Sequence, residues 1–269
     1  MKTLIATALI LASSTTFAST ASFTNDSCNA TISGGIKITP TVIEFSKSKL
    51  PLYKIVDNER LYVNGVQVDL TDNQQSLLHD YSSGIRAAVP QVKSVALDAI
   101  DLANDGINLA FNELLGQDNT LSAEITSQLS EIRKEVDQGL TSDNDIYFDE
   151  DGFSGENFFN EDFEQRIESA IEKTVQNSIG SLMIAVGQQM LFSGGNMNDF
   201  ESRMEDFGDK MESEMEFRGE QIKKSSEALC QSVVDIDALE DRLTNEIIVL
   251  KDFNLLTTTV LSKNTKDLM

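Results

Sequence analysis

Two hydrophobic periods divide the chain. From residue 28 to about 70, apolar positions alternate with polar ones or gather in short β-branched runs. These are Ile36-Lys37-Ile38, Thr41-Val42-Ile43-Glu44-Phe45 beyond Pro40, Leu52-Tyr53-Lys54-Ile55-Val56, Leu61-Tyr62-Val63 and Val66-Gln67-Val68-Asp69-Leu70. Period-two runs of this length predict strands. Asp57-Asn58-Glu59 supplies one turn. Asn64-Gly65 suits a type I′ hairpin, whose two central residues both take positive φ. Three or four short antiparallel strands would make a small sheet that needs a helix over one face.

After Leu70 the period becomes helical. Thr71 with Gln74 three residues on has the pattern of a capping box, in which each side chain bonds the other's backbone N–H. Leu78, Tyr81, Ile85 and Val89 share one face up to Pro90, where the first helix is expected to end. A second is predicted through Val92, Ala96, Ala99, Ala103, Ile107, Ala110 and Leu114, ending near Gly116. A third runs through Leu121, Ile125, Leu129, Ile132 and Val136 to Gly139. Residues 141–162 read as an acidic, Phe-bearing loop. Helical spacing returns from Phe163 to Met190 and breaks at Ser193-Gly194-Gly195-Asn196. It resumes from Phe200 to Leu250 as one or two long helices, weakened at Gly208 and Gly219.

The expected fold is therefore α+β and mostly helical, a small N-terminal antiparallel sheet followed by long amphipathic helices. Its parts are a signal peptide (1–18), a β-hairpin region (19–70), a helical body (71–252) and a polar tail (253–269) expected to fray. The leader carries Lys2, an apolar stretch from Leu4 to Ala12, and a small-x-small site at Thr16-Phe17-Ala18, with Ser19-Thr20-Ala21 as the alternative. No later stretch reaches 18 uncharged apolar residues, so no transmembrane segment is expected. These features predict export to the periplasm.

Composition then narrows the partners. The 269 residues carry 21 Lys and Arg against 44 Asp and Glu, a formal charge of −23. A phosphate backbone needs cations to replace its counterions, so nucleic acid is excluded as an expectation. An anionic membrane surface is disfavoured for the same reason. One His rules out multi-His zinc sites. That residue, His79, falls on the polar side of the first helix and reads as solvated. In an oxidising compartment Cys28 and Cys230, the only two cysteines, read first as an intramolecular disulfide. Two free buried thiols and an intermolecular link are the alternatives.

Several marks together resemble the YggN-like family of exported proteins from Gram-negative bacteria. They are Cys28-x-x-x-Ile32, Ile36-x-Ile38-x-Pro40, Asn64-Gly65 with Leu70-Thr71 and Gln74-Gln75, and Tyr81 with Arg86 and Pro90. Ser193-Gly194-Gly195, Cys230-x-x-Val233-Val234 and Leu239-Glu240 complete the set. The resemblance spans most of residues 1–240. It implies a periplasmic home and the Cys28–Cys230 pairing, and it brings no activity and no catalytic residues.

Three stretches carry candidate chemistry. Asp143, Asp145, Asp149 and Asp151, followed by Gly152, gather carboxylates as Ca²⁺ loops do, with Glu156 and Glu161 able to complete an irregular site. Tyr147 stands where an EF-hand register needs an acid, and a solvated acidic loop is the plainer reading. No other cofactor is expected. The apolar run from Ile179 to Phe192, with Gly180, Gly187 and Gly194 at heptad intervals, reads as a buried core helix or a docking helix. Phe200, Met204, Phe207, Met211 and Met215 form a stripe flanked by acids. Flexible, polarizable Met suits variable apolar partners, so the stripe is either a bundle seam or a partner-binding face.

No Gly-x-Ser-x-Gly elbow, His-Glu-x-x-His pair or phosphate-cradling Gly loop occurs, so an enzyme is not expected. The expected function is a non-catalytic binding or scaffold protein of the cell envelope, acting through its helices on an envelope protein or a second copy of itself. The alternative is a holdase-like periplasmic chaperone using the Met/Phe face. A hydrolase with carboxylate chemistry is the third reading, and no residue spacing specifically supports it.

Overall fold

The alternating segment folds as β1 (Ala21–Thr24), β2 (Cys28–Ile32), β3 (Gly35–Ile38), β4 (Val42–Lys47), β5 (Leu50–Val56), β6 (Arg60–Val63) and β7 (Val66–Gln67). Then follow α1 (Asp72–Leu115), α2 (Thr120–Gly139), β8 (Ile146–Asp149), β9 (Gly152–Ser154), α3 (Met197–Glu246), a 3₁₀ turn (Ile248–Leu250) and β10 (Leu256–Val260). This computed structural model describes residues 21–25, 27–115, 120–149, 152–154 and 197–261, with Glu168, Glu172 and Gly180 as separate helical positions. The expected helix over 163–190 and the apolar run from Ile179 to Phe192 otherwise lie outside the described residues.

The architecture is α+β, with more sheet than the sequence suggests. Instead of one small sheet there are two, in the orders β1-β2-β10 and β7-β6-β5-β4-β3-β8-β9. All their pairings are antiparallel. Part of the expected acidic loop supplies β8 and β9, because Ile146 is buried opposite Ile38 and extends the sheet beyond β3. Part of the expected polar tail supplies β10, which pairs with β2 from Leu256↔Ile32 to Val260↔Cys28. Gly34 carries the chain from one sheet into the other. Its φ is +156°, and a Cβ there would lie 2.3 Å from the Ser46 carbonyl oxygen.

Local chemistry explains the turns. Asn64 and Gly65 have φ of 51° and 79°, as a type I′ turn requires, and Asp57 and Asn58 turn with φ of 55° and 60°. Thr71 N–H donates to Gln74 Oε1 at 3.0 Å while Gln74 N–H donates to Thr71 Oγ1 at 3.4 Å, which completes the capping box.

Pro90 does not end the first helix. α1 continues through it for 44 residues and absorbs the expected second helix. A helix-interior proline removes one N–H donor and opens the ladder near it. Gln91 Nε2 donates to Ala87 O at 3.3 Å, which supplies a carbonyl beside the break with a donor. Val89 on one side is buried, and Val92 on the other packs against the same core, so packing holds both flanks in line.

α3 runs back along α1 in seven-residue steps. Ser232 Oγ donates to Gln91 at 2.9 Å, Ser225 Oγ donates to Asp98 at 3.3 Å, and Arg218 pairs with Asp105 at 2.9 Å. This is the spacing of an antiparallel coiled coil. α2 returns along α1 as well, through Lys93–Asp137, Asp101–Arg133 and Asn108, which accepts from Ser122 and Thr126. The main core lies at the sheet end. Ile43, Phe45, Tyr53, Ile55 and Leu61 cluster there with Leu77, Leu78, Tyr81, Ile85 and Val89 of α1 and Ile236 and Leu243 of α3.

Candidate functional site

At 1.5 Å per residue, α1 and α3 are about 65 and 75 Å long, so they project from the sheets as an arm. The Met/Phe stripe runs along the far half of α3. Met204, Phe207, Met211 and Met215 are all half-buried, and the side chain of Phe200 lies outside the described residues. The stripe divides in two. Met215 belongs to the seam with α1, since a Cβ on Gly106 would lie 3.3 Å from its Sδ. Lys210 pairs with Glu113, two residues before α1 ends at Leu115. Phe207 and Met204 therefore continue the stripe past the last described ion pair between the two helices. Their flanks Glu201, Glu205, Asp206, Asp209, Glu212, Glu214 and Glu216 are exposed, and Phe217 beside them is 64% exposed.

Asp143 and Asp145 are exposed, and Asp145 pairs with Lys37 at 3.5 Å. Asp149 is buried in β8, and Asp151 lies outside the described residues. Among the described residues no three His, Cys, Asp or Glu side chains could hold a metal ion. His79 is exposed.

Sequence reasoning missed the most unusual polar group. Glu240 of α3 is 1% exposed, inside the core. Its Oε1 accepts from Tyr81 Oη at 3.0 Å, and its Oε2 accepts the N–H groups of Leu255 at 3.0 Å and Leu256 at 2.7 Å. Tyr81 and Tyr53 share a hydroxyl hydrogen bond at 3.4 Å, and Phe45 stacks on Tyr53 with ring centroids 4.4 Å apart. Burial pushes Glu240 up to about 7, with nearby Asp237 adding to the rise, while its three donors pull the other way. Burial also raises both tyrosines. The signal was present in the sequence: Glu240 occupies an apolar position in the row Leu229, Val233, Ile236, Leu243, Ile247.

One turn earlier, Asp237 accepts the N–H of Thr258 at 2.9 Å and its hydroxyl at 2.5 Å. Asn25 bonds Ser226 through both its carbonyl and its hydroxyl oxygen. Cys28 and Cys230 are joined as a buried disulfide with Cα atoms 6.1 Å apart, as the sequence expects for an oxidising compartment. β2, β10 and the turn before β2 are thereby fixed to α3.

No curated protein and no solved structure matches this chain. Residues 28–256 match the family described as a protein of unknown function (DUF2884), which agrees with a resemblance that carries no activity. The match takes in both cysteines, Glu240 and the start of β10, and the chain belongs to that family.

Proposed function

We propose that the chain is an exported, non-catalytic binding or scaffold protein of the cell envelope, whose sheet end anchors the arm and whose far α3 stripe meets the partner. The observation that carries this reading is the continuation of the stripe at Phe207 and Met204 beyond the last described α1–α3 ion pair. The disulfide is compatible with export, and no helix among the described residues is long and apolar enough to cross a membrane.

Photocrosslinking residues placed singly at 204, 207 and 215 in cells test the reading. Capture of one envelope protein from 204 and 207, with none from 215, is the expected result. A broad set of unfolded clients would replace the scaffold with a holdase, and links between identical chains would make the partner a second copy. Absence of any capture from 204 and 207 would reject the arm as a binding surface.

A further inference from the structure

We propose that β10 is a releasable strap whose opening is coupled to loss of a proton from Glu240. In a strand, alternate N–H groups point to opposite edges. Those of Leu256 and Thr258, two residues apart, face α3, and two carboxylates one helical turn apart stand where a neighbouring strand's carbonyls would otherwise be. The strap is an edge strand, held by its antiparallel ladder to β2 and by the two carboxylates of α3, and its outer side faces solvent. Thr257, Thr259 and Val260 are exposed, and only Leu256, with Leu255 before it, enters the core. When β10 leaves, β2 remains on α3 through Cys28–Cys230, so the opening need not unfold the rest.

The two oxygens of Glu240 divide the work. Oε2 takes both backbone N–H groups, so a proton on Oε1 leaves the strap closed and turns that oxygen into a donor toward Tyr81. Tyr81 then donates to Tyr53. The titratable groups facing Glu240 are Tyr81 from α1, Tyr53 from β5 and Asp237 on its own helix, while the lead-in to β10 offers backbone N–H groups alone. Among the described residues no Lys, Arg or His bonds to it. The ionised carboxylate is thus held in an apolar site without a countercharge. Opening β10 lets it give its proton to water and regain solvent.

The sign follows from the two states. The closed form holds its proton up to about 7, and a carboxylate that regains water on opening falls back toward the ordinary 4.5. The contribution to closure is complete below 4.5 and is lost as pH rises through 7, where it levels off. The opening constant therefore rises roughly 100-fold across that window.

Hydrogen exchange at the amides of Leu255, Leu256 and Thr258, corrected for intrinsic exchange, reads this constant at pH 5 and pH 7.5. The full chain is expected to open about fiftyfold more at the higher pH. Glu240→Gln keeps an acceptor for the strap and a donor for Tyr81, and is expected to be flat. Equal constants at the two pH values in the unaltered chain would overturn the proposal, as would an undiminished rise in Glu240→Gln. If that variant fails to fold, the carboxyl carbon resonance of Glu240 in the unaltered chain decides. A midpoint near 7 that coincides with the exchange profile is expected, and an ordinary carboxylate midpoint would overturn the coupling.

Discussion

Near the sheets, α1 buries Leu77, Leu78, Tyr81, Ile85 and Val89, and α3 buries Leu229, Ile236 and Leu243. Along the arm, from Val92 to Asn112 of α1 and from Met204 to Ser225 of α3, no described side chain is fully buried. The same two helices are therefore held by different forces at their two ends. At the base, removal of apolar surface from water dominates, and it is reinforced by a disulfide and a buried polar network. In the arm the helices rely on half-buried seam residues, on buried Ile125 and Ser122 of α2 beside α1, and on heptad polar pairs and ion pairs such as Asp105–Arg218 and Asp101–Arg133. Exposed pairs of that kind add little stability. Stability should therefore grade from base to tip, as local unfolding does in other proteins. The far stripe thus lies in the part of the fold expected to open most readily.

The largest way to break this contrast is at the base. Replacing Cys28 and Cys230 by Ser reopens a closure with a sequence separation of 202. The chain-entropy model puts that near 5 kcal/mol as an upper figure, readable from urea unfolding. A loss under about 1 kcal/mol would mean that the small sheet needs no anchor. Next in size, Leu243→Ala should cost about 2–5 kcal/mol, while Ile222→Ala in the half-buried arm should cost about 1 kcal/mol. Equal losses would erase the distinction.

The sharpest and smallest test uses two glycines of α1. A Cβ at Gly84 would lie 3.2 Å from Cγ1 of buried, β-branched Ile236, whereas at Gly106 it meets the flexible end of Met215 at 3.3 Å. Gly106→Ala should gain about 0.5–1 kcal/mol from helix propensity, because Met215 can move aside. Gly84→Ala should gain nothing and lose up to about 1 kcal/mol, because Ile236 cannot. Thermal unfolding of the two variants checks the difference in sign.

What could be read from the sequence was what neighbours in the chain determine. The Asn64-Gly65 hairpin, the Thr71–Gln74 capping box, the face carrying Leu78, Tyr81, Ile85 and Val89, and the helix from Thr120 to Gly139 all depend on residues within a few positions of one another. β8 and β10 do not. Ile146–Asp149 and Leu256–Val260 carry β-branched and aromatic strand formers, but they lie in acidic or polar surroundings and find their partners in β3 and β2, more than a hundred positions away. Pro90 misled for the reverse reason, since packing on both flanks overrides a local breaker. Glu240 was hidden because a carboxylate on an acidic helix reads as solvated. Only the apolar row around it and the backbone of the returning strand explain its burial. The division of the Met/Phe stripe was equally invisible, because it depends on where α1 ends relative to α3.

The contrast between base and arm is tested most directly by hydrogen exchange followed along α1 in a single experiment. Amides from Leu77 to Val89 should exchange only through near-global unfolding, while those from Ile100 to Asn112 should exchange orders of magnitude faster through opening of the tip. Uniform protection from one end of α1 to the other would contradict the account.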